Sequence, residues 1–165
     1  MPKKLWEPSK ELIKNSNLFA YEKFISKNYK YNFSKNYKKL LKWSVKNPKD
    51  FWNSIWKYFK VIGIKTDKFK LTKDLINSKF FVNSKLNFAE NLLVKNSNQK
   101  AITFISENGY REQKSWKELN IDVKKIITFY KKINISEKDR IAAYTPNQIE
   151  TVECFLSASA IGSIW

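Results

Sequence analysis

Arg140-Ile141-Ala142-Ala143-Tyr144-Thr145-Pro146-Asn147, then Gln148 to Ile161, then Gly162-Ser163-Ile164-Trp165, is the stretch that decides the fold. The apolar run 141–144 predicts a strand. Thr145-Pro146-Asn147 predicts a turn. Asn147 at N-cap and Glu150 three residues on predict a helix start. Ile149, Val152, Leu156 and Ala160 then fall on one helical face. Gly162 stands where a helix C-terminus favours glycine, and Ser163-Ile164-Trp165 reads as the opening of another strand. A parallel crossover needs that second strand to bury its helix. It stops as it starts, so the sequence predicts the front of a larger α/β protein, with most of its machinery beyond Trp165.

Upstream the same alternation holds. Ala101–Ile105 predicts a strand, Glu107-Asn108-Gly109 a hairpin turn, and Tyr110–Lys114 the returning strand. Ser115-Trp116-Lys117-Glu118 is a capping box. The helix that follows sets Leu119, Val123, Ile126, Ile127, Tyr130 and Ile133 on one face. Short loops between strands and helices predict an α/β class with a mainly parallel sheet covered by helices.

The first third predicts aromatic-rich helices instead. Ser9 caps a short one ending near Lys14. Leu18, Tyr21, Phe24 and Ile25 mark a second, to about Asn28. Ser34 is the expected cap of a third, with Tyr37, Leu40, Leu41 and Val45 facing inward. Asn47-Pro48 reads as N-cap and first turn of a fourth, which carries Phe51, Trp52, Ile55, Trp56 and Phe59. Val61–Ile64 and Lys79–Val82 read as short strands or extended cover. The expected organisation is a mostly helical extension, residues 1–95, packed on the start of the large α/β domain, residues 96–165, which is incomplete.

Composition narrows the chemistry. The 165 residues carry a formal charge of +17, yet only Arg111 and Arg140 are arginine. Readers of phosphates and bases favour the guanidinium fork, and the lysines are scattered, so a solvated lysine surface is expected and no nucleic-acid partner. There is no histidine, which removes imidazole catalysis and most zinc sites from this segment. Cys154 is the single cysteine and is expected to be a small buried hydrophobe. The glycines Gly63, Gly109 and Gly162 are isolated, so no glycine-rich phosphate loop exists here. No apolar run matches a membrane span or a signal peptide. A cytoplasmic protein with no membrane partner is expected.

Five segments carry a family resemblance. They are Leu5-Trp6-Glu7-Pro8-Ser9; Trp43-Ser44-Val45 with Pro48–Trp52; Leu86-Asn87-Phe88-Ala89-Glu90-Asn91-Leu92-Leu93; Ser115–Leu119; and Asp139–Asn147 with Glu150-Thr151-Val152. In this order they resemble the N-terminal region of acyl-CoA synthetases of the acyl-adenylate-forming superfamily. The 86–93 run and the ending Gly162-Ser163-Ile164-Trp165 are most similar to its acetoacetyl branch. The resemblance implies an AMP-forming acid–CoA ligase using ATP, coenzyme A and Mg²⁺, with acetoacetate as the acid. A carboxylate would attack the α-phosphorus of ATP, and the thiol of coenzyme A would then displace AMP. An acetyl- or propionyl-CoA synthetase is the alternative within the superfamily. A lysine-rich polyanion-binding protein is the alternative from another class.

The family's phosphate loop, its aromatic–Thr–Glu motif, its ribose-binding aspartate and its catalytic lysine have no counterpart in residues 1–165. No catalytic, cofactor-binding or metal-ligating residue is therefore assigned, and the segment by itself is expected to be inactive. Asn87, Glu90 and Asn91 are expected to cap and brace a short helix. Pro146 and Asn147 lie at a strand's C-terminal end, where ligands bind in open α/β sheets, but a plain turn and cap accounts for them. Trp165 would approach a substrate pocket only in a completed sheet.

Overall fold

The computed structural model describes residues 5–33 and 36–165. The described chain divides into two compact units, one holding residues up to Val61 with Lys65–Asn83, the other Ile62–Ile64 with Ser84–Trp165.

The first unit is helical. Helix α1, Lys10–Lys14, starts at Ser9, whose hydroxyl accepts the Leu12 N–H at 3.1 Å. Helix α2, Asn17–Tyr29, starts at Ser16 in the same way, from Phe19 at 3.2 Å. Helix α3, Tyr37–Lys46, is capped by Asn36, which accepts the Lys39 N–H at 3.3 Å. The expected cap, Ser34, lies outside the described residues. Helix α4, Pro48–Tyr58, begins with proline as predicted, but Asn47 makes no side-chain cap to it. Asn47 turns backwards instead, and its Nδ2 donates to the Trp43 carbonyl at 3.1 Å. It closes α3, whose last carbonyls lack helical partners.

The core of this unit joins Tyr21, Ile25, Phe33, Leu40 and Trp43, with Phe51, Ile55 and Tyr58 packed on it. Trp43 meets Phe33 at 5.7 Å and Tyr29 at 5.8 Å between ring centroids, both edge to face, the arrangement that ring quadrupoles favour. The expected inner face of α3 is therefore corrected. Leu40 and Trp43 are buried, while Tyr37, Leu41 and Val45 are exposed. Burying the large indole beside Leu40, three residues away, turns the helix. Trp52 and Trp56 of α4 point elsewhere, packing on Phe80 at 5.6 Å and Phe81 at 5.0 Å. The 79–82 segment is thus cover, held by the Lys70–Lys79 bridge and by Val82, whose N–H donates to Lys68 O at 2.8 Å and whose carbonyl accepts from Thr66 Oγ1 at 2.7 Å.

The second unit carries the sheet and three helices. Strands β1, Lys100–Ile105, and β2, Arg111–Ser115, pair antiparallel. Their turn is closed by the Gly109 N–H donating to the Ser106 carbonyl at 3.0 Å, with Gly109 at φ 83°. Ser115 opens helix α6, Trp116–Lys132, through a complete capping box with Glu118. Helix α5, Phe88–Leu92, and helix α7, Ile149–Ala160, pack with α6 around Ala89, Leu119, Val123 and Leu156.

The end of α7 forms as predicted. Gly162, at φ 77°, donates to Ser159 O at 3.1 Å, and Ser163 donates to Ala158 O at 3.0 Å. These two bonds are the Schellman closure of a helix. They bring Ile164 alongside Arg140 in a parallel bridge, with Ile164 N–H to Asp139 O at 2.7 Å and Ile141 N–H to Ile164 O at 2.8 Å. Ser163 Oγ fastens the same turn by donating to Ser136 O at 2.6 Å. Residues 141–144, expected as a strand, are extended without a ladder among the described residues. The architecture is a mixed one of helices and a small antiparallel sheet, and among the described residues parallel pairing amounts to that bridge.

Candidate functional site

The residues singled out by the sequence all fall in the second unit. Asn87 and Asn91 bracket α5. Asn87 Oδ1 accepts the Glu90 N–H at 3.0 Å, and its Nδ2 donates to Ser159 O at 2.8 Å and Ala160 O at 3.2 Å. One amide therefore caps the start of α5 and supplies a donor to carbonyls at the end of α7, which helix geometry leaves short of partners. Asn91 exchanges a reciprocal pair with the Ile62 backbone, accepting its N–H at 2.8 Å and donating to its carbonyl at 2.9 Å. Glu90 is exposed. Both asparagines are braces with their polar atoms engaged. Asn87→Ala is expected to lower unfolding free energy by about 1–2 kcal/mol, the usual cost of a lost cap. A urea midpoint equal to the parent's would rule that out.

Pro146 and Asn147 line a cavity of about 630 Å³ with Ile102, Phe104, Glu107 and Ile149. The predicted cap is corrected here: α7 starts at Gln148 with no side-chain cap. Thr151 takes over the work of tying the turn, its hydroxyl donating to Pro146 O at 2.9 Å and lying 3.0 Å from Thr145 Oγ1. Asn147 thus borders the cavity without a role inside α7.

Cys154 is half-buried. It lies by Tyr130, whose phenol is pushed up to about 12 first by burial and then by a hydrogen bond to the thiol. Cys154 contributes packing there as a small apolar side chain. Trp165 stacks edge-on to Phe155 at 6.3 Å, and Phe155 meets Phe88 at 5.9 Å.

A further cluster was missed in the sequence. Lys114 of β2 reaches Asp122 of α6 at 2.6 Å and pairs closely with Glu153 of α7. Glu153 is 3% exposed. Asp122 also holds Lys125 at 2.8 Å. Burial works against the Lys114 ammonium, but the hydrogen bonds and charges of Asp122 and Glu153 outweigh it and hold its pKa above the ordinary lysine value. The bonds from Lys114 and then Lys125 hold Asp122 below the usual carboxylate range. A signal was present: Glu153 sits between Ile149 and Leu156 on the buried face of α7, a position where an unpaired charge is rare.

Magnesium can be tested against these donors. Among the described residues no three His, Cys, Asp or Glu side chains converge. The carboxylates of Asp122 and Glu153 are already paired, both with Lys114 and Asp122 also with Lys125. These residues do not fit a magnesium site. Among the described residues no helix is long and apolar enough to cross a membrane.

Comparison with known proteins gives this architecture its context. Residues 37–92 match the family described as acetyl-coenzyme A synthetase N-terminus. The acetoacetyl-coenzyme A synthetase of Rhizobium meliloti (strain 1021) is 31% identical over 98% of this chain, which covers 25% of that protein. The acetoacetyl-CoA synthetase of Xenopus tropicalis is 32% identical over 99% of the chain, again 25% of the relative. The chain therefore spans about a quarter of the length of the relatives it matches. A solved acetoacetyl-CoA synthetase from Streptomyces lividans shares the fold, with a TM-score of 0.87 and 21% identity over 99% of this chain and 26% of that one. Along nearly all its residues, the chain is similar to the N-terminal quarter of acetoacetyl-CoA synthetases.

Proposed function

We propose that these residues form the N-terminal part of an ATP-dependent acid–CoA ligase that activates acetoacetate as its adenylate and passes it to coenzyme A. The observation that carries this is the 31–32% identity to acetoacetyl-CoA synthetases along 98–99% of the chain. ATP, coenzyme A and Mg²⁺ belong to the whole ligase. Catalytic, cofactor-binding and metal-ligating side chains are proposed to lie outside these residues. What the segment supplies is a brace: α5 fixed to α7 through Asn87, and β2 fixed to α6 and α7 through Lys114.

The proposed division is a helical extension, residues 1–95, and the start of the large domain, residues 96–165. A mainly parallel sheet growing from the Arg140–Ile164 bridge is part of the same proposal, and that bridge supports it. A cytoplasmic setting fits a chain with one cysteine and no membrane-crossing helix among the described residues. Small-molecule substrates, with no nucleic-acid or membrane partner, complete the proposal. Scattered lysines with two arginines support the nucleic-acid exclusion.

A second reading, an acetyl- or propionyl-CoA synthetase, is favoured by the family description matched at residues 37–92. Steady-state turnover of the full-length ligase with acetoacetate, acetate and propionate separates the two. Acetoacetate is expected to give the highest kcat/KM. Equal or better turnover of acetate would transfer the assignment to the second reading. Residues 1–165 alone are expected to form neither AMP nor thioester.

A further inference from the structure

Helices α1 and α2 and the start of α3 border a recess of about 370 Å³ in the first unit, lined by Leu12, Ile13, Leu18, Phe19 and Tyr37, with Glu22 in its wall. Glu22 also lines the neighbouring hollow of about 450 Å³, beside Phe19 and Phe33. It is 7% exposed. Its carboxylate has neither ion pair nor hydrogen bond among the described residues, and burial raises its affinity for a proton.

The carboxylate opens onto both hollows with no partner of its own, so a ligand in either would meet an unpaired charge. A structural role needs a donor; Ser16, Lys23, Ser26, Lys27 and Tyr37 line the two hollows, and none of them bonds to the Glu22 carboxylate. The Ser16 hydroxyl donates to Ile13 O at 2.7 Å. Lys23, the next residue, sets its ammonium over the Phe19 ring at 4.6 Å instead of on Glu22. A catalytic role needs a second reacting group, and the other walls are chiefly apolar. What remains complementary is a cation on an apolar stem. An ammonium would pair with Glu22, and its methylenes would lie along Leu12, Ile13 and Leu18. The volume is in the range of small-molecule pockets.

We propose that this recess binds a primary alkylammonium group, with Glu22 as its counter-ion. The site is independent of the ligase reading. Backbone amide shifts of the full 165-residue chain, followed at pH 7.5 with n-pentylamine, n-pentanol and Nα-acetyl-lysine-N-methylamide, test it. Pentylamine is expected to give saturable shifts over residues 12–22 with a Kd of about 1 mM or tighter. Pentanol is expected to bind at least about tenfold more weakly, and E22Q to weaken pentylamine by a similar factor, one charge-assisted hydrogen bond.

E22Q removes an unpaired buried charge, so its melting temperature is expected to equal or exceed the parent's. Leu12→Lys, at an exposed wall position, tethers an ammonium at the mouth and is expected to abolish pentylamine binding. A lysine amide as strong as pentylamine upholds the proposal with a polypeptide lysine as the source. One tenfold weaker upholds it with a free aliphatic amine. No saturable shift, equal binding of pentanol, or unchanged binding by E22Q overturns it.

Discussion

Lys114→Met is expected to destabilise the second unit by about 3 kcal/mol, on the order of a hundredfold in its folding constant. The loss does not come from the Coulomb energy of the pair itself, since burying two charges costs nearly what their attraction returns. It comes from what is left behind. Glu153, at 3% exposure, would be an uncompensated anion between α6 and α7. Lys114→Met with Glu153→Leu should therefore recover most of the loss, because the volume is kept and no orphan charge remains. Urea unfolding of the parent, the single and the double variant measures this. A double variant as unstable as the single one would defeat the argument.

The same cluster fixes the sign of a pH dependence. Asp122 is held below the usual carboxylate range in the fold, so its contribution is present above that range and is lost as pH falls through its folded value. Lys114 is held above the ordinary lysine value, so its contribution is complete below that value and fades as pH rises through the folded one. Stability from this cluster is thus greatest between the two. In Lys114→Met the Asp122 part of the acid-side loss should be smaller and should end at a higher pH, since the largest cause of the Asp122 shift is gone. An acid limb unmoved by the substitution would show that Lys125 alone sustains Asp122.

Local chemistry was the legible part of this chain. The Ser9 cap, the Ser115–Glu118 box, the Gly109 turn and the Gly162 helix end are all set by bonds spanning two to five residues, so sequence spacing alone reveals them. The asparagine at 87 was legible as a cap, and its second bond, to a carbonyl 72 residues away, was not. Long-range partners decide the remaining cases. Asn47 closes the helix before it because the Trp43 carbonyl is in reach, and Asn147 yields its expected role to Thr151. A lysine-rich composition hid Lys114, since scattered lysines read as solvated until two carboxylates from different helices meet one of them. Parallel pairing is the most non-local feature of all. Its trace here is one bridge, while the hairpin, whose strands are adjacent in sequence, forms in full.

Trp43→Ala is expected to cost the first unit about 3–5 kcal/mol, as large core truncations do. Trp43 is buried at the junction of α3 with α2 and α4, meeting Phe33, Tyr29 and Phe51 edge to face, the last at 6.4 Å. Phe33 and Leu40 are already buried and leave little slack to close the void, while Tyr31, 38% exposed and 6.1 Å from the indole, can fill only part of it from the rim. Trp43→Phe keeps part of the ring contact and should cost roughly half as much. Trp52, at 39% exposure and packed on Phe51 at 5.2 Å and Phe80 at 5.6 Å, is the matched control: Trp52→Ala is expected to cost about 1 kcal/mol. Hydrogen exchange of α2 and α3 amides reads the difference, with protection falling steeply in Trp43→Ala and little in Trp52→Ala. The reverse order would restore the Leu41–Val45 face of α3 as the packed one, because a helix that buried that face would have no use for Trp43.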